Sequence, residues 1–271
     1  MSDAPIAIFD SGVGGLTVAA AIAKRLPNER LVYLGDTARL PYGTKSADTV
    51  TRYAVQATRA LMRFEPKMVV IACNTASAVA LPVLTAAYAP LPVVGVVEPG
   101  ARAAVDASRG GAIAVIATEG TVKGGAYVRA IHALKPTATV VQRACPLFVS
   151  LAEEGWTEGQ VADLTAERYL TDLFAAEDAP DTLVLGCTHF PVLRGPITKA
   201  AGGTVRLVDS AATTAKEVDR ILETSGTKRT ASPAPPKFLA TDAPERFARV
   251  GSRFFGAEIA PDQVELTDIA P

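Results

Sequence analysis

The chain contains Met68-Val69-Val70-Ile71-Ala72-Cys73-Asn74-Thr75 and Thr182-Leu183-Val184-Leu185-Gly186-Cys187-Thr188-His189, two apolar runs that each end on a cysteine followed at once by polar residues. Each run predicts a buried strand that brings a thiol to the carboxyl edge of a sheet, where open α/β sheets bind their ligands. Two thiols delivered in this way from distant parts of the chain indicate a site that approaches one substrate from both sides. Such a site is suited to moving a proton across a carbon atom.

Strand-like and helix-like segments alternate along the 271 residues, which is the pattern of βαβ units and a parallel sheet. The strand candidates are 6–9, 31–34, 68–72, 93–97, 112–117, 139–142, 182–186, 205–208 and 238–240. The helix candidates are 16–26, 48–64, 76–87, 122–134, 160–176 and 211–223. A polar connector at 225–236 precedes a last helix, which is expected to begin near Pro244 and to end at Gly256.

Landmark residues recur in one order in the two halves of the chain. The pairs are Asp10 with Thr118, Asp36 with Cys145, Cys73 with Cys187, and Glu98 with Asp209. Their similar offsets predict an internal duplication of roughly 110 residues. We therefore expect an α/β fold of two similar lobes, each a mostly parallel sheet flanked by helices. The lobes would be related by pseudo-twofold symmetry, with the active site in the cleft between them. The expected lobes are 1–98 plus 209–271, and 99–208.

The composition is that of an ordinary soluble globular protein, with 49% apolar and 20% charged residues. A net charge of −1 gives no electrostatic basis for binding nucleic acid or an anionic membrane. No apolar run approaches the ~18 residues of a membrane helix. Three cysteines, an odd number, argue against a disulfide framework and favour a reducing compartment. The expected location is therefore the cytoplasm.

The segment Asp10-Ser11-Gly12-Val13-Gly14-Gly15 closes the first strand and opens a helix. Its glycines would let backbone N–H groups approach a bound anion at a helix N-terminus. The spacing is not G-x-G-x-x-G, which disfavours a dinucleotide. A tight turn that Asp10 merely caps is an equally good interpretation. A phosphatase with an aspartate nucleophile is excluded, because such enzymes need a second aspartate where Gly12 stands.

A thiol between a strand and a helix N-terminus has its thiolate favoured by the aligned peptide dipoles. His189, two residues beyond Cys187, could exchange protons near neutral pH. A single buried cysteine is usually a packing residue, which is our interpretation of Cys145. A zinc site is not expected, since C-x-x-C and H-x-x-x-H spacings are missing from the sequence. His132 is expected to pack or to lie on the surface.

Two irregular segments, Gly35–Gly43 and Cys145–Gly155, follow strands and could line a cleft. For the first, an ordinary surface loop is the favoured alternative. The second carries carboxylates that could polarise a neighbouring base, although a charge pair before a glycine is usually a solvated loop.

Motifs over nearly the whole chain point to one family, and the most specific are the two cysteine segments, Ala72–Ser77 and Gly186–Pro191. The others are Ile8–Gly15, Tyr33–Gly43, Gly95–Gly100, Ala117–Lys123 and Pro244–Phe247. In these motifs the chain resembles the glutamate racemases of the cofactor-independent aspartate/glutamate racemase family. Two positions depart from the family pattern, Gly124 where Ser is expected and Ser150 where Pro is expected.

The resemblance implies interconversion of L- and D-glutamate without a cofactor, by proton transfer at Cα between two cysteines. It implies that Cys73 deprotonates D-glutamate with help from Asp10, and that Cys187 deprotonates L-glutamate with help from Glu153 and His189. The residues implied to hold the substrate are Asp10, Ser11, Tyr42, Gly43, Asn74, Thr75, Thr118, Thr121, Thr188 and His189. D-Glutamate would then supply cell-wall peptidoglycan. A homodimer is expected only because homodimers are the commonest assembly.

Three alternatives stay open. The same scaffold could act on aspartate or a hydantoin, since side-chain preference does not follow from the pattern. A cysteine hydrolase could use Cys187 and His189 for acyl transfer, but it would leave Cys73 without a role. A binding module without activity is least favoured, because it does not need paired strand-end thiols.

Overall fold

Ten strands form two parallel sheets in the computed structural model, which describes residues 3–269. Residues 1–2 and 270–271 of the expected first lobe lie outside the described part. The strands are Ile6–Asp10 (β1), Leu31–Gly35 (β2), Met68–Ile71 (β3), Val93–Gly95 (β4), Ala112–Ala117 (β5), Thr139–Ala144 (β6), Thr182–Gly186 (β7), Arg206–Asp209 (β8), Lys237–Ala240 (β9) and Val264–Leu266 (β10). The first sheet has the order β10-β9-β2-β1-β3-β4 and the second the order β6-β5-β7-β8.

Eleven α-helices connect and cover these strands in the described part of the chain. They are Leu16–Arg25 (α1), Ala47–Leu61 (α2), Asn74–Tyr88 (α3), Val97–Ala107 (α4), Glu119–Gly124 (α5), Ala126–Leu134 (α6), Leu147–Glu154 (α7), Gln160–Leu170 (α8), Arg194–Ala201 (α9), Ser210–Thr224 (α10) and Pro244–Phe255 (α11). Among residues 3–269, none of the helices has the length and apolar character needed to cross a membrane.

The predicted α/β class is confirmed, and so are the nine predicted strands, with ends that differ by at most two residues. Four elements were missed: β10, α4, α7 and α9. The predicted helix 122–134 is two helices that meet at Gly125, whose φ of +61° breaks the helical path. The predicted helix 160–176 ends at Leu170. The last helix ends as predicted, with Gly256 in the left-handed conformation at φ +75°.

The two sheets repeat one topology. In each repeat the first strand lies between the second and the third, and the fourth lies beyond the third. The order β2-β1-β3-β4 of the first sheet therefore corresponds to β6-β5-β7-β8 of the second. Three landmark pairs from the sequence fall just after or at the ends of corresponding strands, as a duplication predicts. The boundaries of the two lobes stay a prediction.

The central strands are buried on both faces because their residues are continuously apolar, as is typical of parallel sheets. Ile6 and Ile8 of β1 belong to the same hydrophobic cluster as Leu183 and Leu185 of β7. The two sheets therefore share a hydrophobic cluster, which packs them against each other.

The loop after β1 contacts the segment after β7 at Gly14. A Cβ atom at Gly14 would lie 2.3 Å from the His189 ring and 2.7 Å from the Thr188 hydroxyl, distances at which the neighbours must move. The close approach of the two sheets at this point therefore depends on a residue without a side chain.

We expect Gly14→Ala to lower the free energy of unfolding by about 1–3 kcal/mol, because the added methyl group overpacks this contact. The matched control is Gly12→Ala in the same loop, whose Cβ would meet Leu40 at an ordinary 3.5 Å. Urea denaturation of both variants measures the difference. Equal stability of the two variants would contradict the assigned contact.

Candidate active site

A cavity of about 260 Å³ lies where the carboxyl ends of the two sheets face each other. Its lining consists of Ser11, Pro41, Tyr42, Gly43, Thr44, Cys73, Asn74, Thr75, Thr118, Glu119, Pro146, Val149, Ser150, Cys187, Thr188 and His189. Both strand-end cysteines thus reach the same cavity, one from each sheet. This is the arrangement that the two cysteine runs predicted.

Most of the predicted site residues line this cavity, and three lie behind its wall. Asp10 and Thr121 are buried, at 1% and 0% exposure, and Glu153 contacts His189 from behind. Thr121 forms a cluster of hydroxyls with Thr75 and Thr118, at oxygen–oxygen distances of 3.3 and 3.1 Å. Four further lining residues, Pro41, Pro146, Val149 and Ser150, belong to the two irregular segments that the sequence suggested could line a cleft. Thr44 and Glu119 lie outside those segments and were not indicated as lining residues.

Cys73 sits at the N-cap position of α3. Its sulfur accepts a hydrogen bond from the Ala76 N–H at 3.4 Å, as a capping side chain does. Burial, followed by the negative charge of Asp10, raises the pKa of the Cys73 thiol to about 12. Hydrogen bonds from the Ser11 hydroxyl and from Ala76 act in the opposite direction without overcoming burial. Cys73 is therefore a protonated thiol at neutral pH.

Asp10 ends β1 and is held under the glycine loop. Its Oδ2 accepts hydrogen bonds from the Gly12 N–H at 2.9 Å and from the Tyr33 hydroxyl at 3.3 Å. Burial raises the pKa of this carboxyl, while the nearby His189 and the loop N–H groups lower it. A Cβ at Gly15 would lie 2.6 Å from the Asp10 Cβ, so the loop packs directly on the side chain. Asp10 therefore caps the loop through its hydrogen bonds and also raises the pKa of the neighbouring Cys73 thiol.

Cys187 begins a chain of polar groups that leads away from the cavity. Its sulfur lies 3.7 Å from His189 Nδ1, and His189 Nε2 lies 3.2 Å from Glu153 Oε1. The other Glu153 oxygen, Oε2, accepts a hydrogen bond from Arg246 Nη2 at 2.9 Å. The sequence predicted the first three members, whereas Arg246 was not singled out.

The charges along this chain stabilise one another. Burial lowers the pKa of His189, but its contacts with Cys187 and Glu153 outweigh burial and raise the pKa to about 10. Burial raises the pKa of Glu153, and the bonds to His189 and Arg246 outweigh it and bring the pKa to about 2. At neutral pH the imidazole is therefore an imidazolium, held between a sulfur and a carboxylate.

Two predicted binding residues use their side chains to build the wall of the cavity. The Tyr42 hydroxyl donates to the buried Asp36 carboxylate, and burial together with that carboxylate raises the pKa of Tyr42 far above its usual range. The Asn74 amide donates to the Tyr127 hydroxyl at 2.8 Å and to the Ser210 hydroxyl at 3.2 Å. What Tyr42 offers to a ligand is therefore mainly its backbone, whereas the Asn74 Oδ1 is buried without a hydrogen-bond partner in the described part of the structure.

The two irregular segments line the cavity, and neither is merely a surface loop. Tyr42 and Gly43 come from the end of the first segment, where the 3-10 turn Tyr42–Thr44 begins. Most of the second segment is α7, whose first turns face the cavity and whose last turn carries Glu153. The carboxylate that could polarise a base does contact His189.

Of the four remaining sequence features, Ser150 lines the cavity, whereas Cys145, His132 and Gly124 do not. Cys145 is fully buried in the core, and His132 is exposed on α6, as expected. Gly124 ends α5 with open space where a Cβ atom would lie, whereas Ser150 lines the cavity from α7. Among the described residues, no three His, Cys, Asp or Glu side chains are grouped to hold a metal ion.

Comparison with known proteins identifies relatives over nearly the full chain. A family model described as Asp/Glu/Hydantoin racemase matches residues 16–218. The glutamate racemase of Geobacter metallireducens is 51% identical over 255 residues, which cover 94% of this chain and 93% of the relative. The crystal structure of glutamate racemase isoform RacE1 from Bacillus anthracis superposes with a TM-score of 0.94 at 35% identity and covers 99% of each chain.

A second solved structure, glutamate racemase from Francisella tularensis in complex with D-glutamate, superposes with a TM-score of 0.92 at 34% identity and covers 99% of each chain. The resemblance inferred from the cysteine motifs is thus confirmed. With a family model that spans well over half of its length, the chain belongs to the Asp/Glu/Hydantoin racemase family and is a racemase, which is an isomerase.

Proposed function

We propose that this chain is a glutamate racemase that interconverts L- and D-glutamate by two-cysteine proton transfer at Cα. The observation that carries the proposal is that Cys73 and Cys187 line one cavity from two different sheets. Glutamate as the substrate is supported by the names of relatives such as the one 51% identical to this chain. The Francisella tularensis relative was solved in complex with D-glutamate.

The Cα hydrogen of glutamate is weakly acidic, and the adjacent carboxylate resists further negative charge. A single base would have to move from one face of the substrate to the other, whereas two bases on opposite faces avoid this. One cysteine removes the proton as a thiolate while the other delivers a proton as a thiol. We assign removal from D-glutamate to Cys73 and removal from L-glutamate to Cys187.

The protonation state of Cys73 indicates which cysteine donates a proton first in the resting enzyme. Because its pKa is about 12, Cys73 is a thiol in the resting enzyme and acts first as the proton donor. We assign the first proton abstraction to Cys187, whose sulfur lies 3.7 Å from His189 Nδ1. Asp10 assists Cys73, and Glu153 assists Cys187 through His189.

The developing negative charge on the substrate needs hydrogen-bond donors that are already oriented. The hydroxyls of Ser11, Thr75, Thr118 and Thr188 line the cavity and supply such donors. The start of α3 at Asn74 adds backbone N–H groups and the positive end of the helix dipole. Gly43 would contribute its backbone, and Thr121 would hold the hydroxyls of Thr75 and Thr118 in place.

The cellular setting forms part of the proposal. We propose that the protein works in the cytoplasm, without a cofactor, as a homodimer that binds neither nucleic acid nor membrane. Its D-glutamate would serve peptidoglycan synthesis. The lobes would be 1–98 with 209–271, and 99–208.

We expect Cys73→Ser and Cys187→Ser each to lower racemisation of glutamate by about 10²- to 10⁴-fold, since a hydroxyl is a poor proton exchanger at these positions. The matched control is Cys145→Ala, which removes the third, fully buried thiol and should retain activity. A chiral assay of the purified protein with L-glutamate and no additives measures all three variants.

A β-substituted glutamate analogue separates the two cysteines, because elimination needs only one deprotonation. Each serine variant should eliminate HX from one enantiomer of the analogue and not from the other. If both serine variants racemise glutamate normally, the assignment of the cysteines is wrong.

Turnover of L-glutamate in deuterated water should place deuterium at Cα of the D-glutamate product, because the incoming proton comes from a thiol that exchanges with solvent. Mass spectrometry of the separated enantiomers measures the label. A product that carries only protium at Cα would rule out delivery of the proton by an exchanged thiol.

A further inference from the structure

Helix α11, which belongs to the first sheet, contacts Glu153 and His189 behind the cavity. It follows β9 of the first sheet, whereas Glu153 and His189 lie on elements that follow strands of the second sheet. Three of its side chains make these contacts: Arg246 binds the Glu153 carboxylate, Arg253 donates to the Glu153 carbonyl at 3.0 Å, and the Phe254 ring packs edge-on against His189 at 5.1 Å. The groups behind Cys187 are thus held in place across the boundary between the sheets.

The Glu153 carboxylate needs such support for two reasons. It lies in the last turn of α7, where the helix dipole disfavours a negative charge. Its side chain is also 17% exposed, so a rotamer change would let the carboxylate turn away from the imidazole. Of the two arginines, only Arg246 binds the carboxylate itself.

We propose that Arg246 is a positioning residue, which holds the Glu153 carboxylate against His189 and thereby fixes the imidazole that faces Cys187. The geometry is a two-point hold, in which Oε2 binds Arg246 at 2.9 Å and Oε1 faces His189 Nε2 at 3.2 Å. Arg246 does not belong to the cavity lining, so it acts through Glu153 and not on a substrate. The inference rests on the proposed function, because it supports the proton transfer assigned to Cys187.

The titration of His189 separates positioning from a simple charge effect. The titratable groups that interact with its ring are Cys187, Glu153 and Asp10. Arg246 and Arg253 contact Glu153 and not the ring itself. If Arg246 holds Glu153, its removal frees the carboxylate to turn away, and the pKa of His189 falls from about 10. If Arg246 were only a distant positive charge, its removal would raise that pKa.

The experiment is an NMR titration of the imidazole signals in the full-length protein and in the variants Arg246→Met, Arg246→Lys and Glu153→Gln. The chain has two histidines, so exposed His132 serves as an internal reference in every sample. The matched control is Arg249→Met, which removes an exposed arginine from the same helix.

We expect Arg246→Met to lower the pKa of His189 most of the way to its value in Glu153→Gln. Arg249→Met should leave it unchanged, and Arg246→Lys should restore most of the wild-type value. An unchanged or raised pKa of His189 in Arg246→Met would overturn the proposal.

Glutamate racemisation gives the second measurement. Loss of a partner that orients a functional histidine through its carboxylate should cost about tenfold or more in kcat, by analogy with the outer partners of metal-binding histidines. The lysine variant should recover part of this loss. Since the titration needs no turnover, an inactive wild-type protein would contradict the proposed function alone, and the titration would still decide the role of Arg246.

Discussion

The close approach of the carboxyl ends of the two sheets is the constraint on which the site depends. Two thiols can flank one small ligand only if the loops that follow the strands meet without intervening side chains. This happens at Gly14 against His189 and at Gly43 against Thr118, where an added Cβ would lie 2.3 and 2.9 Å from its neighbour. The glycines are thus placed where the two halves of the molecule touch, and they allow the backbones to approach closely there.

The sequence predicted the strands and their ends well, because parallel strands buried on both faces are continuous apolar runs bounded by polar or glycine residues. It predicted the elements at the margins less well. Strand β10 is three residues long with Glu265 at its centre, too short and too polar to stand out. Helix α9 begins with a glycine and a proline in its first turn, and local propensity alone disfavours a helix there.

Helix α7 shows why the site was predicted only in part. Glu153 and Glu154 before Gly155 have the composition of a solvated loop, yet they form the last turn of a helix that Gly155 ends in the left-handed conformation. The partner that turns Glu153 from a surface charge into part of the site is Arg246, 93 residues away in sequence. No local pattern encodes such a contact. The cysteine motifs were predictable because each cysteine closely follows the end of a buried strand. The expected helix start is found only after Cys73, at α3, whereas Cys187 is followed by a turn and the 3-10 helix Phe190–Leu193.

Under the proposed mechanism, the duplicated topology supplies two equivalent positions, yet the surroundings of the two thiols differ. Cys73 is buried beside the Asp10 carboxyl, which favours the thiol, whereas Cys187 lies beside an imidazolium backed by Glu153. The equilibrium constant between two enantiomers free in solution is one. The difference between the thiols therefore cannot favour either product. The difference determines instead which of the two cysteines is protonated between turnovers. A free enzyme in that protonation state can accept only one enantiomer as substrate. After each turnover of that enantiomer, the proton has to return to its original cysteine before the same enantiomer can react again.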